Sequence, residues 1–257
     1  MATKNSFLIE FAKIFEKIGE TQTENIHQAA TLVADAIMAD RFAFAFGSGH
    51  SFIPTMDVYP RIGSFPGWVP IHELATSYVS SLAGDMGFRQ SLFLEKIPGY
   101  AKVVLDNYNL DSKDVMVLIS NSGCNTMVVE MAEEAQKRGL KTIAITSVVH
   151  STPLKSYAPS GKKLMELTDV VIDTCVPRGD AIVEVPFLRG KVSSASIIAS
   201  CIVMQSIATA TAEIFAERKF MTPIFPYAND KMSPEEVHQM MDDYYAEDAR
   251  RNRKLYR

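Results

Sequence analysis

The chain is 257 residues long and 47% hydrophobic, enough for one large domain with a sizeable core and no reason for disorder. Its 26 Lys and Arg stand against 30 Asp and Glu, a formal net charge of −4. That balance argues against nucleic acid as the main partner, since no basic surplus exists to neutralise a phosphate backbone, but it allows a local phosphate pocket of neutral hydroxyls and amides.

The first twenty residues carry charges through their apolar stretch and lack a signal-peptide core. Phe7, Leu8, Phe11, Ile14, Phe15 and Ile18 fall at helical spacing, which predicts an amphipathic helix over Asn5–Gly19, with a second over Thr23–Ala39. Phe42–Phe46 is short, aromatic-rich and stopped by Gly47, the pattern of a buried strand. Trp68–Ile71 is a weaker strand, after the turn-rich Gly63–Gly67. Val115–Ile119 is a third strand, followed by a polar loop and a helix over Met127–Arg138 that Gly139 ends. Lys141–Thr146 and Val170–Asp173 supply a fourth and a fifth, and Ala181–Val185 reads as an added edge strand.

The most apolar segment, Ser196–Ala216, includes Ser200, Gln205, Thr209, Thr211 and Glu213. It is too polar for a membrane span and reads as a buried or interface helix, so no membrane partner is expected. Lys231–Arg257 is rich in charge and reads as a peripheral helix or a tail in solvent. Cys124, Cys175 and Cys201 are widely spaced and odd in number, giving neither a disulfide framework nor a zinc-knuckle spacing, and a cytoplasmic setting follows as the default.

Strands separated by helical crossovers predict an α/β fold, a mostly parallel sheet with helices on both faces. One domain over residues 1–257 is expected: N-terminal helices over 1–40, an αβα core over 41–220 and a C-terminal extension over 221–257. No internal repeat, low-complexity linker or DNA-binding domain is evident.

In parallel sheets, ligands bind beyond the carboxyl ends of the strands at a topological switch point. If the strand order is the flavodoxin-like 2-1-3-4-5, the loops after strands one and three face each other. Those loops are FGSGHS (Phe46–Ser51) and ISNSGCNT (Ile119–Thr126). Glycine allows close backbone approach, so successive N–H groups can converge on one anion, and a following helix start adds more. Ser48, Ser51, Ser120, Ser122 and Thr126 add hydroxyl donors. Either loop alone reads equally as a turn with an N-cap; both at adjacent strand ends make a phosphate site. Neither is a Walker A or a dinucleotide fingerprint.

Gly47-Ser48-Gly49-His50-Ser51 and Ser120-Asn121-Ser122-Gly123 resemble the paired loops of the sugar isomerase (SIS) domain family. The likeness extends to the Glu130–Ser151 stretch, the Ser160-Gly161-Lys162 turn and Thr168–Ala181, and is greatest to an uncharacterised subfamily similar to phosphoheptose isomerases. It implies a three-layer αβα sandwich on a five-stranded parallel sheet, with extra N-terminal helices. It also implies a sugar-phosphate ligand and a homodimer or homotetramer with sites at or near subunit interfaces. Carried over, Gly47, Ser48, Gly49 and Ser51 line the first loop, and Ser120, Asn121, Ser122, Gly123, Asn125 and Thr126 the second. Ser193 and Ser194, read as starting the long helix after Gly190-Lys191, resemble the serines that complete the cleft in relatives, or form a plain N-cap.

Aldose–ketose isomerisation needs a base to move a proton between adjacent carbons and an acid to open the ring. Candidates are His50 in the first loop, Asp57 seven residues later, Glu73 (with His72) after strand two and His150 after strand four. A glutamate commonly occupies the Asp57 position in the similar subfamily. Asp85, Glu130, Arg178 and Asp180 are further polar residues near strand ends, and Trp68, Tyr78 and Phe88 read as core or interface aromatics. His50, His72 and His150 lack the close spacing of a zinc site, although some phosphoheptose isomerases bind zinc; no cofactor is expected. The leading function is a phosphosugar isomerase, against a non-catalytic phosphosugar sensor or a phosphosugar lyase or etherase.

Overall fold

The computed structural model describes residues 5–77, 87–227 and 231–256, the first two of the middle stretch by backbone alone. Asp85 and Tyr78, and the side chain of Phe88, lie outside the described residues. Two helices lead in: α1, Ser6–Thr21, and α2, Thr23–Met38. Asn5 caps α1 by accepting from Phe7 N at 2.9 Å, and the apolar stripe buries Ile14 and Ile18.

The sheet consists of β1 (Ala43–Gly47), β2 (Trp68–Pro70), β3 (Val115–Ile119), β4 (Lys141–Thr146) and β5 (Val170–Asp173). All its pairings are parallel and the order is β2-β1-β3-β4-β5, as the flavodoxin-like pattern requires. β1 and β3 are buried along their whole lengths, which is why both read as unbroken apolar runs. Successive side chains feed opposite layers. Ala43 and Ala45 of β1, with Val115, Val117 and Ile119 of β3, pack against α1, α2 and the long helix Ser196–Glu217. Phe42, Phe44 and Phe46, with Met116 and Leu118, pack against helix α3, Thr126–Lys137. Two apolar layers on one sheet make the three-layer αβα sandwich.

Two expectations need correction. Ala181–Val183 (β6) does not extend the main sheet; it pairs antiparallel with Val192–Ser194 (β7) in a separate ribbon. Ser193 and Ser194 therefore belong to an exposed strand, and the long helix α4 starts later, at Ser196–Glu217. The cause is Asp180: its Oδ1 accepts from Ala195 N at 3.0 Å and Ser196 N at 2.8 Å, and its Oδ2 from Ser196 Oγ at 2.8 Å. A carboxylate from another segment thus fixes the first turn where a serine cap was expected.

By length and composition α4 could cross a membrane, but it lies against α2 and buries Val203, Met204, Ile207, Ile214 and Phe215 in the core. The last segment is anchored. Helix α5, Pro234–Asn252, opens with a Ser233/Glu236 capping box and fully buries Tyr244. Its Arg251, 3% exposed, donates to the carbonyls of Ile37 and Arg41. A cavity of about 660 Å³ between α5 and the chain after α4 lies near Asp40, at the end of the sheet opposite the serine loops.

Candidate functional site

β1 and β3 are neighbours in register, and Gly47 pairs with Ile119. The two serine-glycine loops therefore leave the sheet from adjacent last residues, one strand spacing apart, about 4.8 Å. In the first loop, Ser48 leads into a 3-10 turn over Gly49–Phe52 and a short helix over Ile53–Met56. Ser51 N donates to Ser48 O at 3.1 Å, folding the chain back over Gly47. Ser51 is half-buried and His50 exposed. The Phe52 ring meets the His72 imidazole edge-on at 5.6 Å, joining this loop to the end of β2. Burial pushes the His72 pKa below the usual histidine value.

The second loop divides its polar groups between structure and opening. Ser120 Oγ accepts from Gly123 N at 3.0 Å. Gly123 takes φ +60°, and a Cβ there would stand 3.2 Å from Thr146 Oγ1 and 3.3 Å from Leu164 Cβ. Thr126 is fully buried and donates to Tyr157 O at 3.0 Å. Asn121 O accepts from Ser147 N at 3.2 Å, while its buried Oδ1 has no hydrogen-bond partner among the described residues. Asn125 occupies the N-cap position of α3 but makes no capping hydrogen bond. Ser122 is half-buried, and no side-chain hydrogen bond ties it to a described residue. A helix start without a side-chain cap, beside a free hydroxyl and an amide side chain, is suited to an external anion.

Between the loops stands a residue that sequence reasoning passed over. Glu95 follows the helix Gly87–Leu94 and is 6% exposed. Its Oε2 accepts from Ser48 Oγ at 2.7 Å, and its backbone carbonyl accepts from Met127 N, in the first turn of α3, at 2.9 Å. One residue thus touches the first loop with its side chain and the helix after the second loop with its backbone. Burial raises its pKa, against the opposing effects of the Ser48 hydrogen bond and the neighbouring Lys96 charge. The Lys96 ammonium lies 4.7 Å from the ring centroid of Tyr157, whose own N donates to Cys124 O. Gly99 N donates to Glu130 Oε2 at 2.7 Å, holding the far end of this segment on α3.

Other expected residues are engaged elsewhere. Asp57 pairs with Arg61, and its Oδ2 accepts from Gln205 of α4 at 2.9 Å. Glu73 accepts from Thr76 N at 2.8 Å and Ala75 N at 3.2 Å, capping the short helix Leu74–Ser77. His150 Nδ1 accepts from Gly179 N at 3.1 Å. Arg178 is exposed, and Asp180 caps α4.

Residues 6–147, which include both loops, match the model of the SIS domain. The chain belongs to the SIS domain family. It is 34% identical over 226 residues to a UPF0309 protein of Halalkalibacterium halodurans, covering 85% of this chain and 88% of that one. In fold it is similar to the phosphoheptose isomerase GmhA from Neisseria gonorrhoeae, with a TM-score of 0.52 at 18% identity over 80% of this chain and 95% of that one. The Vibrio vulnificus NanR protein, solved in complex with ManNAc-6P, superposes with a TM-score of 0.50 at 11% identity over 91% of this chain and 66% of that one.

Within this SIS domain the two loops and Glu95 come together at the carboxyl ends of β1 and β3. Asp57 bonds Gln205, Glu73 caps its own short helix, and Ser193 and Ser194 sit on the exposed ribbon. Among the described residues, no three His, Cys, Asp or Glu side chains are grouped as a metal site. Glu95 gave no local signal. It follows an apolar run in a stretch where Pro98-Gly99 breaks the helical pattern, and its burial comes from a contact 47 residues away.

Proposed function

We propose that this SIS domain binds a small sugar phosphate in the crevice between its serine loops and interconverts aldose and ketose forms through an enediol-like intermediate. The observation that carries the reading is the start of α3, which no side chain caps although Glu95 O takes Met127 N, next to Ser122 and Asn125 and one strand away from the Gly47–Ser51 loop. The first-turn N–H groups other than that of Met127, with these neutral donors, suit a phosphate, and the first loop, with His50, borders the sugar. The assembly is a homodimer or homotetramer: α4 has a mean hydropathy of 1.6 over its most apolar window, yet Ile198 is 42% exposed. Free Cys124, Cys175 and Cys201 fit a reducing, cytoplasmic setting.

Thermal shift against glucose 6-phosphate, glucosamine 6-phosphate and sedoheptulose 7-phosphate, beside the unphosphorylated sugars, tests the site. A binder raises the melting temperature in proportion to ln(1 + [L]/Kd). Stabilisation by the free sugars and not by their phosphates defeats the phosphate reading.

A second reading, a phosphosugar sensor without chemistry, draws support from Asp57 and Glu73, whose carboxylates already hold Arg61, Gln205 and a helix start. Deuterium incorporation from solvent at a sugar carbon separates the two.

A further inference from the structure

A base for this site has to be a titratable group that reaches the crevice without being committed to the fold on both sides. Asp57 is held by Arg61 and Gln205, and both oxygens of Glu73 accept from the helix they cap. His150 Nδ1 is occupied by Gly179 N. Glu95 differs. One oxygen, Oε2, is fixed at 2.7 Å by Ser48 of the first loop, while Oε1 has no hydrogen bond to a described residue. The backbone of the same residue is bonded to the first turn of α3, so the carboxylate is bracketed by the two halves of the crevice.

We propose that Glu95 is the carboxylate that moves the substrate proton, an assignment that rests on the sugar-phosphate reading above. The geometry assigns complementary parts. A phosphate at the start of α3 leaves the open-chain carbons to extend toward Ser48, where Glu95 is held. Ser48 then serves the carboxylate: its single hydroxyl proton is donated to Glu95 and is not offered to the phosphate. Glu95 takes the proton from the hydroxyl-bearing carbon beside the carbonyl, and that C–H electron pair becomes the C=C bond of an enediolate. The proton returns to the former carbonyl carbon, and a hydroxyl proton passes from one oxygen to the other. One C–H bond breaks, one forms, and no oxidant, reductant or co-substrate is consumed. Burial makes the carboxylate a stronger base than one in water, while the Ser48 hydrogen bond and the Lys96 charge oppose that shift by favouring its charged form.

The experiment uses the full-length chain with the three sugar phosphates named above, reading binding by thermal shift and exchange by NMR in D2O. The wild type is expected to bind at least one and to exchange a carbon-bound proton. Glu95→Gln is expected to keep Kd within about threefold while exchange falls about 10²–10⁴-fold, the usual reach of a general base. Glu95→Asp, which keeps the charge but shortens the arm, should retain partial exchange. In Ser48→Ala the lost hydrogen bond raises the Glu95 pKa, so the acid limb of the exchange–pH profile should move to higher pH, a shift that a merely structural contact would not cause.

Exchange by Glu95→Gln within about tenfold of wild type overturns the assignment. So does wild-type binding with no exchange, which leaves the sugar-phosphate site standing. If no sugar phosphate stabilises the wild type, the site reading falls first and the assignment with it. Should Glu95→Gln not fold, Glu95→Asp and Ser48→Ala decide: an unchanged rate and pH profile in both overturns the proposal.

Discussion

A Cβ on Gly47 would lie 2.1 Å from the backbone oxygen of Ser51, so the first serine loop closes over a position that only glycine can occupy. The φ of Gly47 is not positive, and the requirement is therefore space rather than backbone conformation. Because Gly47 also pairs with Ile119, the same contact that folds the first loop sets its distance from the second.

Gly47→Ala should therefore damage loop and site together. Overpacking against backbone typically costs about 1–3 kcal/mol, and the obstructing atoms here are main-chain. Urea denaturation should report that loss. Any stabilisation by sugar phosphate should fall more than the unfolding midpoint alone would predict. A variant with wild-type stability and ligand response would mean that Ser51 moves aside freely.

Ser122 and Thr126, four residues apart, should give opposite results. Thr126 is fully buried with its hydroxyl on Tyr157 O, so Thr126→Val should lose about 1–3 kcal/mol of stability through an unsatisfied carbonyl. Ser122 is half-buried with no such tie, and Ser122→Ala should leave stability within about 0.5 kcal/mol of wild type. A hydrogen bond to a charged ligand is worth about 1.5–3 kcal/mol, so Ser122→Ala should weaken sugar-phosphate binding roughly ten- to hundredfold. Equal effects of both substitutions on binding would remove the division between them.

The five strands were legible as short apolar runs, and β1 and β3, the least ambiguous, are buried along their whole lengths; Val115–Ile119, Lys141–Thr146 and Val170–Asp173 have the boundaries expected. The two loops were legible because their composition changes abruptly at those strand ends. The ribbon was not: Val192–Ser194 is a three-residue strand with every side chain exposed, so burial imposes no period on it. The helix start at Ser196 depended on a carboxylate sixteen residues earlier. Glu95 was hidden for the same reason, since its meaning comes from Ser48 and Met127 rather than from its neighbours. Contacts made across the fold leave no mark in local spacing.

The Asp180 cap can be tested by itself. Its carboxylate satisfies two backbone donors and one hydroxyl at the start of α4. Asp180 has φ +69°, so Asp180→Ala should cost about 1–2 kcal/mol for the lost cap plus a backbone strain that Asp180→Asn avoids. The Ala195 and Ser196 amides should lose hydrogen-exchange protection while those in mid-helix keep theirs. Asp180→Asn, which retains an acceptor oxygen, should recover part of the loss. Uniform loss of protection along α4 would instead indicate that the helix depends on the cap for its whole packing.

At the opposite end of the sheet, Asp40 offers a pH test with a defined sign. The Arg250 hydrogen bond, joined by contacts to Lys254, holds its carboxyl well below the usual carboxylate range despite the cost of partial burial. A pKa depressed in the folded state contributes stability that is present above the unfolded value of about 3.9 and is lost as pH falls toward the folded one. Asp40 has φ +60°, a conformation asparagine tolerates, so Asp40→Asn removes the charge without new backbone strain. Its melting temperature at pH 7 should lie below that of the wild type, and the gap should narrow steadily below about pH 4 as the wild-type carboxyl protonates. The side chain is 39% exposed, so added salt should also reduce the gap at pH 7. A difference that persists at low pH and high salt would assign the stabilisation to hydrogen-bond geometry around Arg250 rather than to charge.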